Sequence, residues 1–223
     1  MRRIVSIGIG PSPDMMTARA RRILQEAPVI LTYFEEDLPF DLGELLELAP
    51  RARVVRLRPA FVEDEARRRD IVDGNLRELR SIPEEWGVFL EIGDSTLRNP
   101  LVHHLLGDSD EFELAFEPGV PSPTAALARL GITARHYCVA GAEERELIDA
   151  LSRGPCGLMM VVNISDDPSR RDDREVFELL RGRGYRVKFI KNCCDDGEEV
   201  LDDLPGDTYW TAAVAVRRGP GTC

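Results

Sequence analysis

Residues 87–100 read Gly87-Val88-Phe89-Leu90-Glu91-Ile92-Gly93-Asp94-Ser95-Thr96-Leu97-Arg98-Asn99-Pro100, and Leu101 to Leu106 follow. A short apolar run stops at a glycine and a carboxylate, and a segment with helical spacing comes next. That order is a strand, a tight turn and a helix N-terminus. In an open α/β sheet, ligands settle beyond the carboxyl ends of strands, where such turns expose backbone N–H groups. Gly93, Asp94 and Ser95 therefore head the candidate site. An ordinary strand-to-helix turn, with Asp94 or Ser95 serving only as an N-cap, explains the same residues.

Toward the N-terminus, Ile4-Val5-Ser6-Ile7-Gly8-Ile9 is a β-branched run that suits a buried parallel strand. Gly10-Pro11-Ser12-Pro13-Asp14 breaks it. Met16, Ala20, Ile23 and Leu24 then give a helical face over Met15 to Glu26, with Asp14 as the expected N-cap. Pro28 to Tyr33 is a second strand. Gly8-Ile9-Gly10 falls short of the G-x-G-x-x-G fingerprint because position 13 is proline. Pro11 and Pro13 also lack the N–H donors that a pyrophosphate needs, so no nicotinamide or flavin site is expected. Leu42 to Leu48 is a short helix, Arg53 to Leu57 a strand, and Val62 to Ser81 a charged helix. Arg67-Arg68-Arg69 sit beside Glu63, Asp64, Glu65 and Asp70, which reads as a solvated face laced with ion pairs.

Toward the C-terminus, Phe112 to Phe116 alternates as a strand does. Thr124 to Leu130 is an alanine-rich helix closed by Gly131, and Ser122 stands where it can cap that helix or touch a ligand. Thr133 to Ala142 is strand or loop, and Glu143 to Ser152 is a helix. Leu158-Met159-Met160-Val161-Val162 is a buried strand, Asp172 to Arg183 a helix, and Tyr185 to Ile190 and Tyr209 to Val216 are strands. The expected boundary lies near residue 132, giving two α/β domains at 1–132 and 133–223.

Composition narrows the function classes. The 223 residues carry 29 Lys+Arg against 40 Asp+Glu, a net charge of −11. No basic surplus exists to neutralise nucleic-acid phosphates. The five cysteines are odd in number and form no C-x-x-C pair. They read as reduced thiols in a cytoplasmic protein, and adjacent Cys193 and Cys194 do not readily bridge each other. His103, His104 and His136 make no ligand-spaced set, so no metal is expected. No apolar run reaches the roughly 18 residues of a membrane span. Met1-Arg2-Arg3-Ile4 leads into a strand-like run and not into a signal region.

Four motifs, in order, resemble those of the S-adenosylmethionine-dependent tetrapyrrole (corrin/porphyrin) methylases. Gly8-Ile9-Gly10-Pro11-Ser12 resembles the family's Gly-x-Gly-Pro-Gly turn, and Gly93-Asp94-Ser95 its Gly-Asp-Pro loop. Pro118-Gly119-Val120-Pro121-Ser122 is similar to its Pro-Gly-x-Ser-Ser element, and Ala125 to Ile132 to the alanine-rich helix ending in Leu-Gly-Ile that follows it. Tyr209-Trp210-Thr211 through Arg217-Arg218 is similar to its last strand. Ser12 replaces a glycine, Ser95 a proline and Pro121 a serine. Arg98 stands where many relatives carry an aromatic.

The resemblance implies two α/β domains with a cofactor cleft between them, S-adenosyl-L-methionine as cofactor, and a homodimer. Carried over by position, the cofactor contacts are Gly10, Pro11, Gly93, Asp94, Ser95 and Leu97, then Ser122, Met160, Ala212 and Val214. Met159 and Met160 read equally well as plain core. Arg98 is the expected partner of a substrate carboxylate. The substrate class is a tetrapyrrole, with the precorrin-2 carbon-20 methylases nearest. Same-fold methylases of peptide amides or a diphthine precursor, or a non-catalytic binding module, remain alternatives. Methyl transfer from a sulfonium demands alignment and desolvation more than a catalytic triad or a metal.

Overall fold

The computed structural model describes residues 1–33, 42–59, 64–97, 101, 105–106, 110–162, 164, 173–194, 197–206 and 211–217. The chain packs as two units, Met1–Pro121 and Ser122–Cys223.

In the first unit the strands are β1 (Arg3–Gly8), β2 (Val29–Thr32), β3 (Arg53–Arg56), β4 (Trp86–Glu91) and β5 (Glu113–Glu117). They form one sheet in the order β3-β2-β4-β1-β5, and every recorded pairing is parallel. The helices are α1 (Ala18–Glu26), α2 (Leu42–Glu47) and α3 (Glu65–Ser81). Successive strand residues face opposite sides of a sheet, and the core divides accordingly. Ile4, Val29, Leu31 and Phe89 pack with Leu76 and Leu79 of α3. Val5, Ile7, Ile30, Val88 and Leu90 pack with Ala20 and Leu24 of α1 and Leu45 of α2. Both faces of β1, β2 and β4 are covered, which is why these three strands read as mainly apolar runs, whereas the edge strands β3 and β5 are partly exposed and mixed. Each fully buried Leu, Ile or Phe contributes roughly 1.5–3 kcal/mol.

The strand order sets the site. From β1 the chain crosses past β4 to β2, whereas from β4 it crosses past β1 to β5. Neighbouring strands β1 and β4 thus send their connections in opposite directions, and the carboxyl ends of such a pair are where open α/β sheets bind ligands.

The second unit holds α4 (Ser122–Arg129), β6 (Cys138–Gly141), α5 (Arg145–Arg153), β7 (Leu158–Val162), α6 (Arg174–Gly182), β8 (Tyr185–Lys191), β9 (Glu199–Leu201) and β10 (Thr211–Arg217). Its sheet runs β6-β7-β10-β8-β9, parallel between β6 and β7 and antiparallel elsewhere. Met159, Val161, Ala213 and Ala215 form a core with Val176, Phe177 and Leu180 of α6 and Ile148 of α5.

Several local expectations are corrected. Contacts group α4 with the second unit, where it packs on β10. The N-cap of α1 is Thr17, whose hydroxyl accepts the Ala20 N–H at 3.0 Å. Asp14 sits instead in a turn of 3-10 helix at Pro13–Met15. Strand β9 had no counterpart in the sequence reading. Cys138 and Cys156 are joined as a disulfide, so the expectation that every thiol is reduced does not hold for them. Parallel pairing of β6 with β7 brings their Cα atoms to 6.5 Å, within ordinary disulfide reach. Gly131 does end α4, with the Ile132 N–H donating to the Leu127 carbonyl at 2.9 Å.

Candidate functional site

Three backbones converge at the carboxyl ends of β1, β4 and β5. The Gly10 N–H donates to the Gly93 carbonyl at 3.0 Å, and the Gly93 N–H to the Gly10 carbonyl at 2.9 Å. Gly10 and Gly93 take φ of +76° and +79°, a left-handed region that costs a residue with a Cβ. A Cβ on Gly8 would lie 2.5 Å from both the Gly119 nitrogen and the Gly93 carbonyl oxygen. A Cβ on Gly119 would collide with the Gly93 carbonyl and with Gly8. Glycine is therefore required by close approach at one pair of positions and by backbone sign at the other.

Asp94 and Ser95 stitch this junction together. The Asp94 carboxylate accepts the Thr96 N–H at 2.8 Å and, through its other oxygen, the Gly119 N–H at 3.1 Å. The Thr96 hydroxyl also donates to it. Ser95 is fully buried, and its hydroxyl donates to the Glu117 carbonyl at 2.7 Å. Glu117 is in turn held by Arg19 of α1 at 3.0 Å. The Asp94 carboxylate thus closes a local turn and also ties the end of β4 to the segment after β5. Pro11 is buried beside this junction and Leu97 is exposed at its rim. Arg98, His103 and His104 lie outside the described residues.

Glu91 escaped the sequence reading. It closes β4 and is only 5% exposed; among the described residues its Oε2 has no hydrogen-bond partner, while Oε1 accepts the Tyr33 hydroxyl at 3.4 Å. Burial pushes its carboxyl well above the ordinary value, and the Tyr33 hydroxyl and Ile92 N–H only partly oppose this. The signal was present as one acidic residue inside the run Val88 to Ile92.

In the second unit, Met160 and Val214 are direct partners in the β7–β10 pairing. Met160, Ala212 and Val214 are buried but stand outside the cluster holding Met159, Val161, Ala213 and Ala215. Strand alternation therefore puts these three on the opposite face of the sheet. Ser122 is the first residue of α4. The structure brings Gly10, Pro11, Gly93, Asp94 and Ser95 together in one unit, and Met160, Ala212 and Val214 together in the other.

The sequence matches the family described as Tetrapyrrole (Corrin/Porphyrin) Methylases over residues 3–205. The chain belongs to the tetrapyrrole methylases. Solved structures of this fold include the methyltransferase CobJ, at 18% identity and TM-score 0.69, covering 100% of this chain and 98% of that one. Uroporphyrin-III C-methyl transferase from Thermus thermophilus, complexed with S-adenyl homocysteine, matches at 18% identity and TM-score 0.64, covering 96% and 97%. The cobalamin biosynthesis precorrin-6Y methylase of Archaeoglobus fulgidus matches at 23% identity and TM-score 0.63, covering 97% and 98%. No curated protein matches the sequence. The tetrapyrrole methylase fold, with an α/β unit in each half, is thus as expected. No helix among the described residues is long and apolar enough to cross a membrane.

Proposed function

We propose that this methylase-family protein transfers a methyl group from S-adenosylmethionine to a tetrapyrrole of the corrin-precursor class. The observation that carries the reading is the glycine junction at the β1/β4 switch point. Ser95 departs from the family pattern, yet its hydroxyl ties the loop to the Glu117 carbonyl. That loop is held in shape, which favours a working site over a decayed binding module.

The residues fit the donor in two respects. The junction offers peptide groups at a strand end suited to a polar ligand. The buried Glu91 Oε2 beside it lacks a partner among the described residues, a demand that a ribose-bearing ligand can satisfy. When bound, S-adenosylmethionine supplies a sulfonium methyl already activated toward an in-line nucleophile. Gly10, Pro11, Gly93, Asp94, Ser95 and Leu97 would hold it at the junction, and Ser122, Met160, Ala212 and Val214 are further contacts proposed from the family resemblance. Apolar groups such as Met160 and Val214 would exclude water from the donor, which would strengthen electrostatic guidance of the acceptor. Arg98 would pair with a substrate carboxylate. The protein would act as a homodimer, which sedimentation at micromolar concentration checks.

Incubation with S-adenosylmethionine and a panel of precorrin-type tetrapyrroles tests the reading by mass spectrometry. One added methyl per product molecule supports it. Donor binding with no methylation of any tetrapyrrole would move the acceptor to another class. Arg98→Ala should raise the KM for a tetrapyrrole and leave donor affinity unchanged.

A further inference from the structure

Cys193 and Cys194 follow β8, and Glu198 precedes β9, so all three belong to one hairpin connection. Adjacent side chains of an extended chain point to opposite sides. Here Asn192 and Cys194 take left-handed backbone, with φ of 47° and 68°, and the turn brings the two sulfurs to 3.6 Å. A carboxylate oxygen of Glu198 joins them, and the three atoms lie within 4.8 Å of one another. Glu198 is fixed from behind, since its Oε2 accepts the Arg129 Nε–H at 2.8 Å and the Cys194 N–H at 2.6 Å. Among the described residues both of these bonds fall on Oε2. Cys193 is buried and Cys194 half-buried, and both are free of the Cys138–Cys156 disulfide.

We propose that Cys193, Cys194 and Glu198 bind one thiophilic divalent cation of the zinc class. Two metal–sulfur bonds of about 2.3 Å at a tetrahedral angle hold their sulfurs about 3.8 Å apart. The observed separation already lies close to that. Two sulfurs with one oxygen suit zinc-like ions, whereas magnesium and calcium take oxygen sets. Charge also balances. Two thiolates and a carboxylate carry three negative charges, and the ion with Arg129 supplies three positive ones. Binding forms two metal–sulfur bonds and releases two thiol protons to solvent. Three protein ligands leave a fourth tetrahedral position for water. The spacing of the cysteines hid this site, because the familiar zinc patterns separate their ligands by two or more residues. The inference stands independently of the methyl-transfer reading.

Two measurements on the full-length, chelator-treated protein test it. First, thiol alkylation mapped by mass spectrometry is followed with and without Zn²⁺. Zinc should slow modification of Cys193 and Cys194 by roughly tenfold or more, the usual scale of ligand effects at metal sites. Second, Co²⁺ serves as a spectroscopic probe. One ion per chain should give a thiolate charge-transfer band that is lost in Cys193→Ser and in Cys194→Ser, while Glu198→Gln weakens binding by a similar factor. Unchanged alkylation with zinc, resistance of both thiols to alkylation before zinc is added, or an undiminished cobalt band in Cys194→Ser would each overturn the proposal. The alkylation arm uses the unaltered chain, so it decides the matter even if a variant fails to fold.

Discussion

Gly119 shows how one missing methyl can define a site. A Cβ there would meet the Gly93 carbonyl and Gly8, both of them backbone that cannot rotate away. Gly119→Ala should therefore cost about 1–3 kcal/mol, the range for overpacking, and should weaken donor binding beyond what the stability loss explains. Urea denaturation alongside donor titration checks both. Glu91 carries a different signature. An acid whose folded value is raised keeps its proton across a pH window in which the unfolded chain has lost it. The unfolded state then binds fewer protons, so stability falls as pH rises from about 4.5 toward the folded value. Glu91→Gln cannot ionise. It should be more stable than the parent at neutral pH, with the gain shrinking as pH drops to 4. A gain that did not change with pH would show that Glu91 is not the buried titrating group. At this scale the sequence was partly legible. Gly93 and Asp94 stood out at the end of an apolar run, but the Asp94 bond to the Gly119 N–H spans distant chain, and nothing local announces it.

Element boundaries followed sequence where periodicity was strong and failed where a tertiary partner decided. The strands over Ile4–Gly8 and Val88–Glu91 were legible because both faces are buried, which leaves runs that are apolar apart from Ser6 and Glu91. The cap of α1 was not, because Asp14 and Thr17 are both good N-cap types and only the intervening turn selects Thr17. Thr17→Ala should cost about 1 kcal/mol by thermal unfolding, the typical value of a lost cap. Asp14→Ala should stay within about 0.5 kcal/mol, as surface changes do. The Cys138–Cys156 link was hidden because it depends on β6 lying beside β7. The bridged residues are 18 apart in sequence, and opening a loop of that size should cost about 3 kcal/mol. Comparing Cys138→Ser/Cys156→Ser with the parent in denaturant measures it.

For the whole molecule, the family match over residues 3–205 and the tetrapyrrole methylase fold agree with the order of the sequence motifs. Four short motifs in the right order were enough to suggest the family, three of them at turns, where fixed backbone geometry constrains residue type more than it does in helices and strands. The division of the chain was less legible. Gly131 marks a helix end, and a helix end resembles a domain end in sequence, whereas the packing of α4 on β10 assigns that helix to the second unit. The acidic balance of −11 disfavours phosphate-rich polymers but does not select among small acceptors. Calorimetric titration of the protein with S-adenosylmethionine tests the proposed function most directly. One donor should bind per chain in the parent, and in Gly119→Ala its affinity should fall at least about tenfold, a change of about 1.4 kcal/mol. A parent protein that gives no heat and no thermal shift with the donor would contradict the proposed methyl transfer.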